Sequence, residues 1–185
     1  MSKQPHLNLS EPSLQIASLK LWVHCRQFPL AQDYWDGNWL CVTARCDSGH
    51  SSVATRGSIV HLGELVQLLD ECERLYESLS GIAKLDCIEP NLSVTLTAQT
   101  VGHIDVQIDI TPDHMLERHE FKESIDQSYL PAIISQCREI LTEYRFAIQK
   151  WELISASQSA SAETFTADLM NCPNAVFHDR LLLGR

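Results

Sequence analysis

Glycine is scarce in this 185-residue chain: there are seven, each standing alone, so no Gly-rich loop that could cradle phosphates is present. No apolar run approaches the roughly 20 residues that cross a bilayer as a helix. The opening Met1–His6 lacks the apolar core of a signal peptide, so export by that route is not expected and the cytoplasm is the expected compartment. Cysteine is neither dense nor paired as C-x-x-C; the seven residues are odd in number and scattered, unlike a disulfide scaffold, and are expected to be reduced core residues. Positive charge is also short. Fourteen Lys and Arg stand against 24 Asp and Glu, giving a net charge of −10 and a pI near 5.1. That argues against a phosphate backbone as the main partner and leaves a basic protein as a compatible one. The motifs H-E-x-x-H and G-x-S-x-G are missing, as is a basic recognition helix.

What is present is the patterning of an ordinary folded protein, 44% hydrophobic and 21% charged. Alternation predicts a strand over Leu14–Arg26, a turn at Asp36-Gly37 where glycine would supply a positive φ, and a strand over Trp39–Cys46. A further turn at Asp47-Ser-Gly49 leads to a strand over 51–59, completing an antiparallel meander. From His61 to Leu79 the apolar residues Leu62, Leu65, Leu69, Cys72, Leu75 and Leu79 recur at helical spacing, with Gly81 as the stop. Strands follow over 82–88, Leu92–Ala98 and Ile104–Ile110, the last two joined at Val101-Gly102-His103, and then over 117–125. A second amphipathic helix starts near Pro131 and shows Leu130, Ile133, Ile134, Cys137 and Ile140 on one face. The expected class is α+β: a mainly antiparallel sheet of about six or seven strands with two amphipathic helices packed on one face. Residues 1–13 read as a flexible lead-in, 14–150 as one domain, and 151–185, with its Ser/Ala-rich start, as a loosely ordered tail.

Two constellations could carry function. His103, Asp105, Asp109, Asp113, His114, Glu117 and His119 have the composition of a metal site, and His103 beside Asp105 could act as a general base. Their spacing fits poorly. His114 and His119 lie across a turn from the aspartates and differ in parity, so a solvated strand face with a polar loop is the simpler reading. No cofactor and no metal are expected, and a metal-dependent enzyme built on His103–His119 stands as the alternative to a binding protein. The second is Asp33-Tyr-Trp-Asp-Gly-Asn-Trp39, dense in amphipathic rings beside acids, as protein interfaces are. The same Trp35 and Trp39 could instead plug one end of the sheet.

Asp33-Tyr-Trp-Asp-Gly-Asn-Trp-Leu40 followed by a strand, a helix and Ile88-Glu-Pro-Asn-Leu-Ser93 resembles the WapI family of bacterial immunity proteins. Gly102-His-Ile104, Ile110-Thr-Pro-Asp-His114 and Asp126-Gln-Ser-Tyr-Leu-Pro131 extend the likeness over roughly residues 14–146. The resemblance implies a non-catalytic cytoplasmic protein that neutralises a cognate toxin domain, in that family a nuclease acting on RNA, by occluding it. It implies a protein partner, expected to be basic, with no direct nucleic acid and no membrane. The expected partner-binding residues are Asp33, Tyr34, Trp35, Asp36, Trp39 and Glu89. A self-associating module is a further alternative.

Overall fold

Apolar–polar alternation builds two antiparallel sheets here. A computed structural model describes residues 11–147. The first sheet takes β1 (Leu14–Ile16), β2 (Leu19–Arg26), β3 (Trp39–Asp47) and β4 (Ser52–His61) in that order. The second takes β5 (Ile82–Asp86), β6 (Leu92–Ala98), β7 (His103–Ile110) and β8 (His119–Asp126). A helix follows each, α1 (Leu62–Ser78) and α2 (Leu130–Glu143), so the chain runs four strands and a helix, twice. The α+β class holds, but the single sheet of six or seven strands is corrected to eight strands in two sheets of four among the described residues. Local alternation reveals that each strand buries one face; it carries no mark of which sheet that strand joins. Of the lead-in expected for residues 1–13, residues 1–10 lie outside the described residues, as does the tail expected for 151–185.

One expected strand is in fact a hairpin. The stretch Leu14–Arg26 folds back at Ala17-Ser18, pairing Leu14 with Leu21 and Ile16 with Leu19. Ala17 takes a left-handed φ of 52°, a conformation that alanine does not advertise. The Ser18 N–H donates to Glu123 Oε2 on β8 at 3.1 Å, and the Ser18 hydroxyl bonds the other oxygen of that carboxylate, joining the two sheets.

Helix α1 begins with a capping box. The His61 ring accepts from the Gly63 N–H, and Glu64 reaches back to the His61 N–H. Leu62, Leu65, Leu68, Cys72 and Leu75 are buried along one stripe. The helix is closed by Leu79 itself, left-handed at φ 50°, whose N–H donates to Leu75 O at 2.9 Å; Gly81 comes two residues too late for that task. Pro131 stands in the first turn of α2, where its missing N–H costs nothing. The two helices pack on each other, α1 also against β5 and α2 against β1. At each of those edge strands a helix side chain takes a backbone N–H: Gln136 takes that of Gln15 at 2.9 Å, and Glu71 takes that of Lys84 at 2.7 Å. Strand edges left open invite pairing with other chains, and these two are covered.

The core between these elements includes Leu21, Val42, Leu65, Val94, Val106 and Ile133, each side chain contributing roughly 1.5–3 kcal/mol when fully buried. Cys72 and Cys137 belong to it, with their thiols pushed up to about 12 by burial; both stay protonated and inert. Five described cysteines carry free thiols.

Candidate partner-binding site

The loop between β2 and β3 is shaped by its own side chains. Asp33 Oδ1 accepts the N–H groups of Trp35 at 2.9 Å and Asp36 at 2.8 Å, an Asx-type turn that leads into one 3-10 turn over Asp36–Asn38. Asn38 is fully buried. Its amide donates to Tyr34 O at 2.7 Å, and its Oδ1 accepts from the Ala147 N–H at 2.9 Å and from Arg26 at 3.2 Å. Arg26 also donates to the carbonyls of Gly37 and Arg145. Gly37 is corrected in its role. Its φ is not positive; a Cβ there would stand 2.5 Å from Ala147 Cβ and 2.9 Å from Ala31 O, so glycine is required by close approach.

His61, the cap of α1, is also the hub of a ring cluster. Nδ1 accepts from the Gly63 N–H at 3.1 Å, which leaves Nε2 to donate to Tyr34 O, also at 3.1 Å. Ring centroids of Tyr34, Trp39 and Trp35 lie 5.1, 5.3 and 5.9 Å from that of His61. Phe146 stacks on Tyr34 at 6.1 Å. With the frame so fixed, Tyr34 stays 45% and Trp35 61% exposed.

Glu64 extends the frame to the second sheet. Its Oε2 accepts from the His61 N–H at 2.8 Å and its Oε1 from the Ile88 N–H at 2.9 Å. Burial pushes its carboxyl up, outweighing those two bonds, which favour the ionised form. The β5–β6 turn, with Ile88 and Glu89 exposed, is thereby tied to the aromatic loop. Asn91 ties on the β7–β8 loop, donating to Thr111 O at 2.8 Å and accepting the Thr111 N–H at its backbone carbonyl.

The six expected binding residues therefore divide. Asp33 spends one carboxylate oxygen on the turn, and Trp39 is half-buried against His61. Tyr34, Trp35, Asp36 and Glu89 face outward. Among the described residues no hydrogen bond or ion pair engages the carboxylates of Asp36 or Glu89. Sequence reasoning missed His61, Glu64, Asn38 and Phe146. A signal existed for the first two, because Glu three residues after a capping position is the capping-box spacing.

The His103–His119 group does not assemble. His103 opens β7 opposite Asp126, while His119 opens β8 opposite Ile110, so the two rings sit a strand length apart, about 23 Å at 3.3 Å per residue. His119 pairs with Glu117 at 2.9 Å, and Arg118 with Asp109 at 3.3 Å. Among the described residues no three His, Cys, Asp or Glu side chains are placed to hold a metal. No described helix is long and apolar enough to cross a membrane.

The geometry defines a two-sheet α+β scaffold that holds exposed aromatic and acidic side chains on a hydrogen-bonded frame. The family model of the immunity protein WapI-like family matches residues 11–145, and the chain belongs to that family. No curated protein matches the chain closely enough to count as a relative.

Proposed function

We propose that this chain binds a cognate toxin domain and neutralises it by occlusion, catalysing nothing itself. Membership of an immunity protein family supports the toxin as the partner class. The single structural observation behind binding is Trp35, largely exposed yet held by a cluster in which His61 and Asn38 fix the backbone of its neighbour Tyr34. Large rings fixed before binding lose little freedom when they dock, which is why they serve as anchors. Tyr34, Trp35, Asp36 and Glu89 are the contact residues in this reading, with Asp33 and Trp39 positioning them. The net charge of −10 favours encounter with a basic surface such as that of a nuclease, and the reading requires the chain to act in the cytoplasm of the cell that makes it.

The test is to mix the purified chain with the toxic C-terminal domain of a large secreted protein encoded beside it. One-to-one capture with loss of nuclease activity supports the proposal. Undiminished nuclease activity at a tenfold excess of the chain sinks it.

A further inference from the structure

We propose that the partner docks on one end of the molecule, a single surface made by the β2–β3, β5–β6 and β7–β8 loops, and that the matching face of the partner is basic around an apolar centre. This rests on the toxin-binding reading and gives it a place. Exposed large hydrophobic residues gather at two ends of the fold. Leu30, Tyr34 and Trp35 stand on the first loop, Ile88 on the second, and Met115 and Leu116, 79% and 84% exposed, on the third. The bonds from Glu64 to the Ile88 N–H and from Asn91 to Thr111 O make these three loops one connected frame. The other set, Leu79, Val101 and Tyr129 among them, lies at the far end of β7, beyond His103.

Charge separates the three loops from the groove at the far end. The far end holds a shallow groove of about 610 Å³ whose lining, from Leu79 to Gln127, contains no ionisable residue. The three loops carry Asp33, Asp36, Glu89, Asp113 and Glu117. Their one Lys or Arg side chain, Arg118, is already engaged by Asp109 and Glu120. Asp36 and Glu89 are exposed beside Trp35 and Ile88, and no counter-ion pairs with them among the described residues. A partner whose Lys or Arg side chains flank an apolar patch meets this surface on both counts: its cations reach the free carboxylates and the face of Trp35, while its apolar centre covers Ile88, Met115 and Leu116. The far groove offers such a partner no charged side chain.

Titration calorimetry with the full chain and the catalytically inactivated toxin domain encoded beside it tests this. Trp35→Ala is expected to weaken binding roughly thirtyfold, as central aromatic anchors do. The Asp36→Lys, Glu89→Lys pair is expected to weaken binding about tenfold or more at low salt and to flatten its salt dependence. Leu116→Ser is expected to weaken binding about fivefold or more, the loss of one apolar contact. Tyr129→Ser at the far end is expected to bind as the parent does. If the parent chain binds and the three-loop variants bind equally well, or if Tyr129→Ser is the one that loses affinity, this surface is overturned while the toxin reading stands. If the parent chain itself neither binds nor neutralises, the toxin reading fails and the surface assignment with it. Oxidation of Trp35 by N-bromosuccinimide in the free full-length chain covers the remaining occupants. Ready oxidation at all concentrations supports an open surface. Protection at every concentration would assign it to residues 148–185 of the same chain, and protection only at high concentration to a second copy; either overturns the assignment.

Discussion

Replacing Glu64 by Gln probes the joint between the two sheets with almost no change of shape. The carboxylate accepts two backbone N–H groups, His61 at 2.8 Å and Ile88 at 2.9 Å, and Gln can accept only one of them. The other then faces an amide NH₂, donor against donor. A hydrogen bond to a charged group is worth about 1.5–3 kcal/mol, and losing it leaves a shielded N–H unsatisfied. Against this, burial pushes the Glu64 carboxyl up, so the parent carries a charge in an unfavourable place and Gln removes it. The net loss is expected at about 1–2 kcal/mol at neutral pH, or roughly 2–8 °C in melting temperature for a chain of this size. The pH dependence has a definite sign. A carboxyl whose folded value is raised above the ordinary 4.5 holds its proton in the native state after the unfolded chain has released it. That contribution is fully present below the ordinary value and is lost as pH rises through the raised one. The gap between parent and variant should therefore be widest in acid and narrow toward neutrality. Thermal melts from pH 4 to 8 read the gap, and amide exchange at Ile88 reads the freed turn. A variant that melts with the parent at pH 7, or a gap that widens as pH rises, would mean that the Glu64 carboxylate does not hold this joint.

Gly37→Ala inserts a methyl 2.5 Å from Ala147 Cβ and 2.9 Å from the Ala31 carbonyl, neither of which can swing aside as a flexible side chain would, so the loop itself must move. A loss of about 1–3 kcal/mol is expected in urea unfolding, and a neutral result would mean that the 145–147 segment does not lie against this loop. Val101 is β-branched, 92% exposed and left-handed at φ 62°. Asn tolerates that conformation far better, so Val101→Asn should raise stability by about 0.5–1 kcal/mol, and an unchanged or lower melting temperature would contradict the strain inferred there.

Much of the fold could be read from period alone, because a half-buried strand or an amphipathic helix writes its exposure into the chain. Leu92–Ala98 has the bounds that its alternation predicts, and α1 lies within the predicted His61–Leu79. What failed to show were the positions where context overrides preference. Ala17, Leu79 and Val101 adopt left-handed backbone without being Gly, Asn or Asp, so the β1–β2 hairpin carries no turn signature and the left-handed cap of α1 falls at Leu79 rather than at Gly81. The division into two sheets depends on pairing partners that no local window contains. At the candidate site the motif Asp33–Trp39 stands out for its rings, yet its least conspicuous member, Asn38, ties the loop to Arg26, Tyr34 and Ala147 through three side-chain bonds. His61 looked like the first residue of a helix; its part as cap and ring hub follows from loops brought together from 27 residues away.

The two helix side chains that cover the sheet edges arrive on different schedules. Glu71 meets the Lys84 amide across 13 residues of chain, whereas Gln136 meets that of Gln15 across 121. At a synthesis rate of 5–20 residues per second, the second contact must wait roughly 6–24 s after Gln15 is made. Through that interval β1 presents an uncovered edge on the ribosome while β5 can be shielded almost at once. A nascent chain halted anywhere before residue 136 keeps that edge bare, so the first strand to be translated is among the last to be made safe from pairing with a neighbour.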